Sequence, residues 1–255
     1  MKQFVRFKKN GEGVYGQVTP EGVYRISGTP FDRPAPEEWV GQVDDLDLLP
    51  PVEPSKIVCI GLNYRDHAAE TGATVPEEPV MFLKPLTTLI GPGDAIRMPP
   101  QSTRVDYEGE LGIVIGREIF CPDPVDARRA IFGYVCSNDV TARDLQRKDG
   151  QWTRGKGFNT FCPVGPYLNS DVDLGDRGIE TRLNGEVRQS SNFGEMVFDA
   201  EYLVHFVSQV MTLYPGDLIM TGTPSGIGPM SAGDVVEVEI EGFGVLKNRV
   251  VSAEA

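Results

Sequence analysis

The chain has 255 residues and a formal net charge of −13, from 24 Lys plus Arg against 37 Asp plus Glu with both His neutral. At about 150 residues per domain this is one large domain or a core with an appendage, and 40% hydrophobic with 24% charged residues excludes global disorder. The acidic balance offers no general attraction to phosphate backbones or anionic lipid, so neither nucleic acid nor a membrane is an expected partner. Two His, no HExxH and no CxxC leave no zinc pattern. Cys59, Cys121, Cys136 and Cys162 are scattered among apolar neighbours and read as buried free thiols in a reducing compartment. The start, MKQFVRFKKNGEG, lacks the apolar core of a signal peptide, and no 18 apolar residues run together, so the expected location is the cytoplasm.

Taken in chain order, three alternating segments (residues 4–8, 14–18 and 23–26) are separated by the turn pairs Asn10-Gly11 and Glu21-Gly22, which predicts an antiparallel meander. Residues 31–54, dense in Pro and acid and including Pro50-Pro51, read as a linker. The expected division is a small N-terminal β unit with its linker over 1–54 and a larger domain over 55–255. Stronger apolar strands follow at 57–60, 80–83, 105–116, 131–137 and 179–183. Asn184-Gly185 then predicts a hairpin to 186–189. Apolar residues at Leu203, Phe206, Val207, Val210 and Met211 predict a helix over 199–213, stopped by Pro215-Gly216. Residues 218–221, 235–240 and 245–251 return to strand. Strands outnumber helices without alternating regularly with them, so the fold class is mainly β with some α (α+β).

Four stretches carry chemistry. On a strand, Asp106, Glu108 and Glu110 share one face, where they are either a solvated acidic face or part of a hard-metal site. A second acid, Asp139, ends an apolar strand just before a helical turn, as its N-cap or as a further ligand. His67 and Glu70, three apart on one turn, can hydrogen-bond, and a carboxylate that orients an imidazole makes a better general base. His205 reads as a packing or surface residue. The loop after residues 218–221, Gly222-Thr223-Pro224-Ser225-Gly226, is either a tight turn or an anion cradle. Lys156 adds a cation flanked by Gly155 and Gly157, where a substrate can approach closely.

Together, IVCIGLNYRDHAAE, MFLKP, DYEGELGIVIG, GYVCSNDVTARDLQ, GKGFNTFCPVGP and LIMTGTPSGIG resemble the successive motifs of the fumarylacetoacetate hydrolase family, in that family's order and over roughly residues 55–250. The N-terminal meander is similar to the small extra segment of some bacterial members. The resemblance implies a mixed β-sandwich roll, a homodimer, and Mg²⁺ or Mn²⁺ (Ca²⁺ as a substitute) held by Glu108, Glu110 and Asp139. It also implies a mobile lid, over about residues 65–75, carrying His67 and Glu70. Lys156 would join these two as a catalytic residue, and substrate carboxylates would meet Arg143, Gln146, Lys156 and Thr223. Phe193 departs from the small hydroxyl residue often found at its position.

Three carboxylates and one M²⁺ leave about three coordination positions for water and a chelating 2-oxo acid, whose enolate the metal would stabilise. The expected function is a 2-hydroxyhepta-2,4-diene-1,7-dioate isomerase or decarboxylase acting on a small 2-oxo or 2-hydroxydienoic dicarboxylate in aromatic catabolism. An acylpyruvate (or fumarylpyruvate) C–C hydrolase or an oxaloacetate decarboxylase is the alternative. A catalytically silent binding module is the non-enzymatic one, although the metal acids and the lid His are all present.

Overall fold

In the computed structural model, which describes residues 1–32 and 34–252, the chain reverses at both predicted N-terminal turns to give strands Lys2–Lys9, Glu12–Thr19 and Gly22–Ile26. The stretch read as a linker is structured. Pro36–Gly41 pairs with Gly22–Ile26 as an edge strand, a place that tolerates Pro at its first residue, and Leu48–Leu49 pairs with Lys2–Lys9. The meander is continuous with the rest of the molecule, since Lys2–Lys9 runs antiparallel to Cys162–Ser170 with Lys2 opposite Ser170.

From there the main sheet passes through Ile131–Asn138, Gly109–Ile115, Leu218–Met220 and Ile57–Gly61 to the edge strand Val80–Lys84. A second sheet orders Glu186–Asn192, Gly178–Leu183, Val235–Ile240, Gly244–Ser252 and Ala95–Met98. Leu111, Ile113 and Ile115 of the main sheet pack with Ile179, Val238, Ile240 and Leu246 of the second, closing a sandwich. On the opposite face, Val114 packs with Val135, Val164, Leu218, Phe4 and Val52. A strand buried on both faces explains the unbroken apolar run in residues 111–115. Burying each such aliphatic side chain stabilises the fold by about 1.5–3 kcal/mol.

Five α-helices are described: α1 (Arg65–Thr71), α2 (Pro124–Arg129), α3 (Arg143–Asp149), α4 (Thr153–Lys156) and α5 (Ala200–Val210). The predicted long helix is α5. Its N-cap Asp199 accepts a 2.8 Å bond from the Tyr202 N–H, and Leu203, Val204 and Val207 enter the sandwich core. Among the described residues no helix is long and apolar enough to cross a membrane.

Two further expectations are corrected. Residues 105–116 are not one strand: Val105–Tyr107 lies in a small sheet with Thr141–Ala142 and Gly228–Pro229, and Gly109–Ile115 lies in the main sheet. The break falls at Glu108, whose N–H donates to the Asn138 side chain (3.0 Å) instead of to a strand neighbour. Cys121 is exposed, in a left-handed turn (φ 47°) before Pro122, while the other three thiols are buried. Strands Cys162–Ser170 and Ala95–Met98 had no sequence signature. The first carries Pro163, Gly165 and Pro166 and is held by strand partners on both sides.

Candidate active site

The strand break at Glu108 builds the site. Gly109 lies opposite Asn138 in the ladder, so Glu108 at the break, Glu110 on the strand after it and Asp139 beyond the end of the next strand converge. The Asp139 N–H closes the corner by donating to the Glu108 carbonyl at 2.8 Å. Ligand oxygens of the three buried carboxylates all lie within 4.8 Å of one another. Asp106, expected on the same face, is drawn away: Arg104 and Arg143 donate to its two oxygens at 2.8 and 2.9 Å.

Three cations balance these acids. Lys156 donates to Glu108 (2.8 Å) and Asp139 (2.5 Å), Lys84 donates to Asp139 (2.5 Å), and Arg143 pairs with Glu108 as well as Asp106. Burial pushes the Glu108 carboxyl up, but Lys156 and Arg143 override it and hold the group well below the usual carboxylate range. Glu110 shows the opposite balance. Burial, then repulsion from Asp139 and Glu108, pushes its carboxyl well above that range, and only the Gly222 N–H (2.9 Å) and Lys156 oppose this. Gly222 has φ +95°, and a Cβ there would lie 2.8 Å from the Asn63 Cβ; a side chain at this position would strain the turn that supplies this donor. Glu110 Oε1 has no donor among the described residues. An all-oxygen, buried donor set with one open oxygen and a carboxylate destabilised by its neighbours fits a hard divalent cation.

The opposite wall is α1. His67 is buried, and its Nδ1 lies 3.2 Å from Glu70 Oε2. Glu70 Oε1 accepts from the Gly226 N–H (3.0 Å), and Asp66 accepts from the Ser225 N–H and hydroxyl (3.2 and 2.7 Å), so α1 is tied to the loop after Leu218–Met220. The segment that the resemblance implies as a mobile lid is thus held by polar contacts of Asp66 and Glu70. Thr223 Oγ1 donates to the Gly109 carbonyl (2.8 Å) and accepts from Gln189 (2.7 Å). Arg143 donates to Gln146 at 2.7 Å. His67, the three acids, Arg143, Gln146, Lys156 and Thr223 thus line one cavity of ≈ 250 Å³. Glu70 stands behind His67 and is not part of the lining.

Sequence reasoning missed two buried members. Lys84 ends an apolar strand and lies in the quoted MFLKP stretch, which by itself assigned it no role. Gln189 lies in the predicted hairpin, yet its Oε1 accepts from the Gly109 N–H (2.9 Å) while its Nε2 donates to Thr223 and to the Pro224 carbonyl (2.9 Å). It clamps the residue between Glu108 and Glu110 to the Thr223 loop. Gly109 is required in this clamp, because a Cβ there would lie 2.0 Å from Thr181 Oγ1.

Comparison with known proteins places the chain in a family. A family model described as fumarylacetoacetate (FAA) hydrolase C-terminal matches residues 56–251, and one described as Rv2993c-like, N-terminal, matches residues 2–51. Protein Rv2993c of Mycobacterium tuberculosis is 46% identical over 245 residues, 94% of this chain and 92% of its own length. The mitochondrial oxaloacetate tautomerase FAHD2A of Bos taurus is 46% identical over 216 residues, 80% of this chain and 69% of its own. Among solved structures, that of 2-hydroxyhepta-2,4-diene-1,7-dioate isomerase from Mycobacterium marinum superposes with a TM-score of 0.92 at 40% identity, covering 100% of both chains.

Proposed function

Because the chain belongs to the fumarylacetoacetate hydrolase family, we propose that it is an enzyme that relocates a proton on a small 2-oxo or 2-hydroxydienoic dicarboxylate, as an isomerase or tautomerase. The observation that carries this reading is the His67–Glu70 pair set across one cavity from the acid cluster. Glu70 accepts from His67 Nδ1–H and thereby fixes the tautomer, leaving Nε2 as the base that faces the cavity. His67 takes a proton from the substrate carbon and returns it at the new position. Lys156 and Arg143 keep positive charge at the floor, where negative charge develops on the substrate oxygens. Mg²⁺ or Mn²⁺ held by Glu108, Glu110 and Asp139 would supply Lewis-acid polarisation of those oxygens. Thr223 and Gln146 border the same floor and orient the carboxylate.

A panel of 2-oxo diacids and acylpyruvates, assayed with Mg²⁺ and with Mn²⁺, tests the reading through loss of the enol absorbance and deuterium uptake from solvent. His67→Ala should lower kcat by roughly 10²–10⁴, the usual worth of a positioned general base. A wild type that cleaves acylpyruvates and leaves enols untouched would make the protein a C–C hydrolase instead. Full activity in both His67→Ala and Glu108→Ala would remove this site from the reaction, and a wild type inactive on the whole panel would leave the binding-module reading.

A further inference from the structure

We propose that Arg147 binds the second carboxylate of the substrate, so that the cavity selects 2-oxo dicarboxylates longer than oxaloacetate over their monocarboxylate counterparts. This rests on the proposed function, which seats the 2-oxo end at the acid cluster. Four cationic or ionisable basic side chains line the cavity, and three are already engaged by the chain's own groups. His67 is held by Glu70, Lys156 by Glu108 and Asp139, and Arg143 uses Nε, NH1 and NH2 on Asp106, Gln146 and Glu108. Arg147 alone of the four has no hydrogen bond or ion pair among the described residues.

Its position sets the length of the ligand. Arg143 and Arg147 are four apart on α3 and therefore share one face, about 6 Å apart along the axis. Exposure rises in the same direction, from buried Arg143 through half-buried Gln146 to exposed Arg147. The α3 face therefore runs from the floor to the mouth. The walls between are apolar: Leu62, Ala73, and the edge-to-face pair Phe82 and Trp152 with ring centroids 5.1 Å apart. Such a wall suits a carbon chain, and a guanidinium at its outer end suits a carboxylate, which it can grip through two parallel N–H bonds. A four-carbon diacid bound at the floor falls short of it.

Titration of the Mn²⁺-loaded protein with 2-oxoheptanedioate, 2-oxoheptanoate and oxalate tests this by calorimetry. The wild type should bind the diacid about tenfold more tightly than the monoacid, a typical effect for one charge-assisted pair at a partly exposed site. Arg147→Gln should remove that preference and leave 2-oxoheptanoate and oxalate within about twofold of wild type, while Arg147→Lys restores part of it. Unchanged diacid affinity in Arg147→Gln, or an equal loss for all three ligands, overturns the proposal. Failure of all three to bind the wild type would instead sink the placement of the 2-oxo end at the acids, and this subsite with it.

Discussion

Asp144 follows the cavity residue Arg143 but binds outward, to the preceding loop. Its carboxylate accepts from the Ser102 hydroxyl (2.6 Å) and from the Thr103 N–H and hydroxyl (both 3.1 Å), pinning residues 102–103 to the start of α3. Burial pushes this carboxyl up, but those donors together overcome it and hold the group at about 2. A folded-state value below the unfolded one means that the stabilisation is complete above about pH 4 and fades as pH falls toward 2. Asp144→Asn should therefore cost roughly 1 kcal/mol at pH 7 and flatten the acid limb between pH 4 and 2. Urea unfolding across that range reads both. A variant whose acid limb matches wild type would show that the loop is held by other contacts.

The strand Glu186–Asn192 contributes to the site through one side chain, Gln189. Removing that side chain would orphan the buried Gly109 N–H and untie the Thr223 loop. Gln189→Leu should destabilise the protein by about 1–3 kcal/mol, the cost of unmade buried hydrogen bonds. Because Gly109 lies between Glu108 and Glu110, Mn²⁺ affinity should also fall, by 10–100-fold if Gln189 acts as outer-shell support. Gln189→Glu keeps the acceptor for Gly109 but loses the donors to Thr223 and Pro224, so it should retain more Mn²⁺ affinity than Leu. Loss of stability with unchanged Mn²⁺ affinity in both variants would reduce Gln189 to a packing residue.

The N-terminal meander is built into the whole molecule through packing. Phe4, Tyr15, Ile26 and Val52 share a core cluster with Val114, Val135, Val164 and Leu168, and Lys2–Lys9 occupies the hydrogen-bonding edge of Cys162–Ser170. Deleting residues 1–54 would bare both an apolar face and an unpaired strand edge, a combination that promotes aggregation. The truncated chain should lose its near-UV circular dichroism and elute as aggregate in gel filtration. A truncated chain that keeps the native spectrum and a cooperative thermal transition would show that residues 55–255 stand alone.

Short-range geometry was readable without coordinates. The turn pairs Asn10-Gly11 and Asn184-Gly185, the periodicity of α5, the i, i+3 spacing of His67 and Glu70 and the i, i+2 spacing of Glu108 and Glu110 each fix neighbours through local backbone geometry. The order of the motifs made the family legible as well. Tertiary structure decided what depends on which distant strands meet. It removed Asp106 from the acid cluster, because the strand breaks at Glu108 and two arginines lie closer. It brought Lys84 and Gln189 into the site from 55 and 80 residues away in sequence, a choice of partner that no local pattern encodes. Cys162–Ser170 became a central strand despite its prolines because ladders on both sides hold it, whereas Cys121, with apolar neighbours in sequence, turned outward. Local periodicity describes a face; the pairing of distant strands decides what that face meets.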